Sequence, residues 1–335
     1  MVKTRANIAH QNNKTVRKDA SYVFGKLIYK AELATVLEGK FLNKPCVWKI
    51  EHVTEKDQEY KKSAIWNELN FSLDFANKHP SHFMKLLHYH FGDCTKVQLR
   101  TPPPMTYGKH IKKVNAIQAE GICLHKAYSK MDVVLLNIFK ELSLKQIYSL
   151  ILQLIHALRL LHQNNYIHGD LHSGNIGAVK TAPNATKKLG SVAVPTHGYD
   201  WKLIDFGFTL HKKNAITKEQ KNNFTKEADH LTEMILDVFG TVIIGYHDDL
   251  TIQFVRNQMV KTEEYKIIQN INSYGKTIQE RLFMTLYPDK YFTFLKGSGK
   301  LIRNQKLPTE DLMFMAHYGV ESDATFTYLM GKVKE

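Results

Sequence analysis

Apolar positions recur with helical spacing most clearly at Ile147, Leu150, Ile151, Leu154, Ile155, Leu158 and Leu161. This continuous stripe predicts a core helix. Ser143 followed by Gln146 has the spacing of a capping box at its start. A second helix is expected over residues 57–76, where Ile65, Leu69 and Leu73 recur every four residues and Glu68 adjoins their stripe. Alternation marks residues 45–51 as a strand with Val47, Lys49 and Glu51 on one face. Residues 22–31 read as two short strands around a turn at Gly25, and residues 83–87, 96–99 and 121–124 as further strands. Thr101, Pro102, Pro103 and Pro104 predict a stiff surface loop, because proline has no N–H to give a sheet. Residues 176–204 form a long hairpin pattern punctuated by Pro183, Gly190, Pro195 and Gly198, with Lys187 and Lys188 expected to be exposed. That loop is read either as a docking insert or as a disordered segment. Residues 211–226 are polar, and Leu231, Met234, Ile235, Val238, Phe239 and Val242 then outline another helix. The remainder reads as several helices with aromatic contacts from Tyr265, Phe283, Tyr287, Tyr291, Phe292 and Phe294.

Composition narrows the class. The 335 residues suffice for one large domain or two lobes with a real core, and 43% hydrophobic with 23% charged residues is a globular balance. No apolar run approaches the roughly eighteen residues of a membrane span, and residues 1–5 lack the apolar core of a secretory signal. Residues 1–18 carry Lys3, Arg5, Lys14, Arg17 and Lys18 with little to bury, which predicts a flexible basic arm. A net charge of +14 favours acidic partners such as nucleotide, phosphoprotein, nucleic acid or anionic lipid without choosing among them. Cys46, Cys94 and Cys123 are odd in number and lack metal-like spacing, so reduced thiols in a cytosol-like compartment are expected.

The chemistry concentrates in two short stretches. His168-Gly169-Asp170-Leu171-His172-Ser173-Gly174-Asn175 follows the strongest helix, and Asp205-Phe206-Gly207 follows the apolar run 201–204. Upstream, Lys49 is either a surface lysine on an edge strand or a lysine on the inner face of a half-buried one, where an ammonium needs an anion because unpaired burial is expensive. Together these motifs resemble the catalytic and metal-binding loops of the protein-kinase superfamily. Pro45-Cys46-Val47 leading to Lys49 and Glu51, followed by Glu68-Leu69 and Phe71, resembles most closely the branch of casein kinase 1 and the vaccinia-related kinases, as a viral or otherwise divergent member. The resemblance covers about residues 22–245 and fades beyond.

That resemblance implies an α+β, bilobal protein-kinase-like fold. A basic arm (1–18) would precede a small β-rich lobe (19–125) and a mainly helical lobe (126–335). It implies ATP and Mg2+ as cofactors and a protein bearing a serine or threonine acceptor as partner. Asp170 would serve the acceptor hydroxyl, while Asn175 and Asp205 would hold magnesium. Lys49 would meet the α- and β-phosphates and pair with Glu68, since the rivals Glu55 and Glu59 lie too near the helix start. Gly25 would belong to a phosphate-covering loop, or else to a plain hairpin. Leu124 would back the adenine, and residues 125–128 would connect the lobes. Asp229 would either accept backbone N–H bonds from the 168–170 loop or act as a helix-start carboxylate. An intracellular, reducing location is implied, a virus particle or infected-cell cytoplasm included.

Several departures keep rivals open. One glycine stands where kinases have three, which restricts backbone approach to phosphates. Gly169 replaces an arginine that clamps an activation-segment phosphate, so that mode of switching is not expected. His172 replaces a lysine at the γ-phosphate and is fully charged only below about pH 6.5 unless the site raises its pKa. No Ala-Pro-Glu follows residue 207. Aminoglycoside and choline kinases carry a similar His-Gly-Asp-Leu-His loop, so a small-molecule hydroxyl is the alternative acceptor. A catalytically weak scaffold is a second alternative. Nucleic-acid binding rests on the charge alone.

Overall fold

The computed structural model describes residues 22–30, 34–53, 57, 64–94, 122–215, 218–240, 242–244, 249–271, 276–296, 298, 300–303 and 305–335. The protein is α+β and divides into two compact units, Met1–Lys130 and Met131–Glu335, the first β-rich and the second mainly helical. The basic arm, Glu55, Glu59, strand 96–99 and the proline loop lie outside the described residues.

The first unit is built on a five-stranded antiparallel sheet in the order β1-β2-β3-β5-β4. Its strands are β1 (Tyr22–Lys30), β2 (Ala34–Phe41), β3 (Lys44–His52), β4 (Leu86–Asp93) and β5 (Ile122–Ser129). Period-two alternation sends Cys46, Trp48 and Ile50 into a core with Leu37, Cys123 and Ala127. The intervening Lys49 and Glu51 face the opposite way, toward helix α1 (Ala64–Asp74). Leu69 is buried on α1, whereas Leu73 is exposed.

Three expectations fail here. Gly25 is not a turn: β1 runs through it, and the register with β2 slips between Phe24 and Leu27, so a bulge takes up the irregularity. Residues 125–128 are not a connector. They lie mid-strand in β5, paired to β3 on one side and β4 on the other. The thiols are not all reduced, since Cys94 and Cys123 form a disulfide and only Cys46 is free and buried. The cause is the β4–β5 register: Gly92 opposes Cys123, which brings Cys94 within 5.1 Å of Cys123 between Cα atoms.

The second unit centres on α2 (Leu144–Gln163), whose start is the expected capping box, with Ser143 and Gln146 bonding reciprocally. All seven stripe residues are buried. Short strands β6 (Val133–Val134), β8 (Ile176–Lys180) and β11 (Tyr199–Leu203) form a sheet in the order β11-β8-β6. Strand β7 (Tyr166–Ile167) pairs instead with β12 (Leu210–His211). The long segment between β8 and β11 is an ordered hairpin of β9 (Thr186–Leu189) and β10 (Val192–Pro195).

Lys187 on β9 is buried, contrary to expectation. Its ammonium reaches Gln153 Oε1 at 3.1 Å, the Trp201 carbonyl at 2.7 Å and Asp200 Oδ1 at 2.7 Å. Burial pulls its pKa down to about 8. Lys188, the alternating neighbour, is exposed. The polar stretch after residue 211 is also more helical than its pattern suggests. Helix α3 begins at Lys218 and ends at Phe239, and Val242 opens strand β13 (Val242–Ile244) rather than continuing the helix. Further helices follow to α9 (Asp323–Lys334), which packs on α2.

Candidate functional site

The first unit gathers charge under α1. The β3–β5 register sets Lys49 directly opposite Lys126, and Glu51 opposite Leu124. Lys49 Nζ lies 3.0 Å from Glu68 Oε2 and 3.4 Å from Glu51 Oε1. Lys126, fully buried, pairs with both Glu68 and Glu51. The Tyr128 hydroxyl donates to Glu68 Oε1 at 3.1 Å and sits 3.3 Å from Ser72 Oγ. Burial alone would push the Glu68 carboxyl up; the ammonium groups of Lys126 and then Lys49 outweigh it and hold it well below the usual carboxylate range. Leu124 is buried two residues before Lys126 on the same face. Gly25 approaches β2 closely, and a Cβ there would come 3.1 Å from the Glu38 carbonyl oxygen.

The second unit gathers the loop residues. Asn175 Nδ2 donates to the Asp170 carbonyl at 2.9 Å and to Asp170 Oδ2 at 3.0 Å. With its nitrogen committed, the amide oxygen is the atom left to face a cation. The backbone N–H of Ile204 donates to the Asn175 carbonyl at 3.0 Å, which brings the residue before Asp205 alongside Asn175. Asp205 itself has φ +57°, a left-handed backbone that a non-glycine residue adopts at some cost, and such strain collects at functional sites. Its Oδ1 accepts from Gly207 N–H at 3.3 Å. His172 Nδ1 accepts from Gly174 N–H at 3.1 Å, so the proton of the neutral ring is on Nε2, which faces Asp170 Oδ2 at 3.5 Å. A cleft of about 270 Å³ opens beside Asp170, walled by Leu171 and Ser173 and by Glu233, Met234 and Val238 of α3.

Buried anchors hold the loop. His168 Nε2 lies 3.1 Å from the Ile204 carbonyl, and its ring meets the buried Phe206 edge-on at 6.0 Å. Gly169 N–H donates to Glu227 Oε1 at 2.8 Å. That acceptor is a glutamate two residues before Asp229; Asp229 itself lies in the middle of α3, so its reading as a helix-start carboxylate fails. The sequence missed Glu227 because the 211–226 segment did not read as helix, which hid how close α3's first turns come to the loop. It missed Lys126 because His125 and Lys126 fall, by chain order, in the stretch expected to connect the lobes. The alternation of Leu124, Lys126 and Tyr128 was the signal that could have found it.

Oxygen donors on Asn175 and Asp205 suit magnesium, which takes few protein ligands and keeps several waters. Among the described residues no group of three or more His, Cys, Asp or Glu forms a metal-holding cluster. A magnesium site of two protein ligands needs none. Among the described residues, too, no helix is long and apolar enough to cross a membrane. Compared with known proteins, the chain matches no family model and no curated sequence.

Proposed function

We propose that the chain is an ATP- and magnesium-dependent phosphotransferase with a protein-kinase-like bilobal fold, transferring the γ-phosphate to a serine or threonine hydroxyl of a protein. The observation that carries this reading is the double hydrogen bond from Asn175 to Asp170, with Asn175 tied through its carbonyl to the strand end that presents Asp205. It couples the acceptor carboxylate to the residues that would hold the metal. The Lys49–Glu68 pair in the first unit supports it independently.

Asp170 orients the acceptor hydroxyl and takes its proton. The hydroxyl oxygen bonds to the γ-phosphorus, the bond from that phosphorus to the β,γ-bridging oxygen breaks, and ADP leaves with the electron pair. Lys49 offers positive charge to the α- and β-phosphates, and Glu68 fixes where that charge sits. Asn175 and Asp205 supply oxygens for magnesium, which when bound neutralises phosphate charge. His172 Nε2–H, 3.5 Å from Asp170 Oδ2, would offer the γ-phosphate its contact. Gly25 and Leu124 line the nucleotide in this reading.

A small-molecule hydroxyl is the second reading, favoured by the small cleft beside Asp170 with Glu233 on its wall. The test is phosphate transfer from labelled Mg-ATP to a basic protein mixture and, separately, to a panel of amino alcohols and aminoglycosides. Label on protein supports the first reading, and label on small molecules alone supports the second. Asp170→Asn should lower either transfer by about 10²–10⁴-fold with folding intact, the usual span for loss of a proton-transfer group. Unchanged transfer in that variant removes Asp170 from the chemistry.

A further inference from the structure

Glu68 is gripped by two cations where the phosphotransfer reading needs only one. Lys126 and Lys49 both reach Glu68 Oε2, and both also reach Glu51. The two lysines face each other across β3 and β5 on the same side of the sheet, a like-charge pair that is unfavourable unless anions intervene. Two carboxylates do intervene, so two positive and two negative charges balance. The lysines differ in access: the Lys49 side chain is 14% exposed, whereas Lys126 is sealed at 0%. A sealed ammonium touches no ligand. It can act only through its neighbours.

We propose that Lys126 is a positioning residue that sets the charge Lys49 presents to a nucleotide phosphate. By neutralising Glu51 and Glu68 it prevents them from holding Lys49 for themselves. Without it, two carboxylates would face one ammonium in a poorly screened interior, and Lys49 would be bound more tightly to the protein than to any incoming anion. The proposal rests on the phosphotransfer reading for the identity of that anion, but not for the charge balance.

The test uses full-length Lys126→Met, Glu51→Gln and the double variant, checked for folding by circular dichroism. One readout is Mg-ATP affinity by calorimetry. The other, without nucleotide, is the rate at which a neutral acylating reagent labels Lys49, followed by mass spectrometry. Lys126→Met should weaken Mg-ATP binding and slow Lys49 labelling, each about tenfold, the effect of roughly one charge interaction of 1.4 kcal/mol. The double variant restores neutrality and should recover both. Glu51→Gln alone, which tips the balance the other way, should speed labelling and tighten binding; this arm decides the matter if Lys126→Met does not fold. A double variant no better than Lys126→Met, or a Lys126→Met protein that labels like wild type, overturns the proposal. Absence of Mg-ATP binding in the wild type would refute the phosphotransfer reading instead, and the labelling arm would still decide the charge balance.

Discussion

His162 is the residue whose replacement tests most directly how the 168–175 loop is held. It lies in the last turn of α2, with Nε2 2.8 Å from Glu227 Oε2 and Nδ1 3.3 Å from Glu321 Oε2. Glu227 in turn receives the Gly169 N–H through its other oxygen. Burial works against a charged ring, but hydrogen bonds that the ring donates to two carboxylates outweigh it and raise the His162 pKa to about 10. Since the folded pKa lies above the ordinary value near 6.5, the charged ring's stabilisation is fully present below about pH 6.5 and is lost as pH rises toward 10. The pKa difference corresponds to about 5 kcal/mol. Solvent at a side chain 29% exposed reduces that to about 3 kcal/mol. Glutamine at 162 can keep one hydrogen bond but carries no charge. Urea unfolding of wild type and His162→Gln should therefore differ by about 3 kcal/mol at pH 6 and by under about 1 kcal/mol at pH 9.5. Lys187, which loses its proton in the same range, is common to both proteins and cancels in the difference. A wild-type-minus-variant difference that stays constant from pH 6 to pH 9.5 would refute the imidazolium bridge.

Gly169 has φ +80°, and a Cβ there would come within 2.4 Å of the Phe208 carbonyl oxygen, so Gly169→Ala should cost about 2–4 kcal/mol in unfolding experiments and lower phosphate transfer with it. Removing the Cys94–Cys123 link, which closes a separation of 29 residues, should cost about 3.6 kcal/mol by chain entropy, seen as a lower Tm in reductant or in the Cys94→Ala/Cys123→Ala protein.

Where local signals and packing agreed, the chain was readable. The 144–163 helix announces itself by a cap and an uninterrupted stripe, and it is built that way. Lys49 and Glu68 meet because strand alternation and helical spacing each put one charge on an inward face. Failures came where the deciding partner is distant in sequence. Lys187 looks like a surface lysine until Gln153, 34 residues earlier, and the Trp201 carbonyl close around it. The Cys94–Cys123 link follows from strand register, which spacing cannot reveal. Glu227 is separated by 58 residues from the N–H it receives. A bulge absorbed the irregularity at Gly25 that the pattern had suggested was a turn.

The ring of acceptors around Lys187 has a mechanical corollary. Peeling β9–β10 from α2 would break the Lys187–Gln153 bond and bare the buried Leu189 and Val194, so the hairpin travels with the helix as one stiff piece. Its tip, the exposed Gly190 and Ser191, is then a fixed pointer. A spectroscopic probe attached there reports displacement of the helix that carries the Asp170 loop, not wandering of its own attachment point.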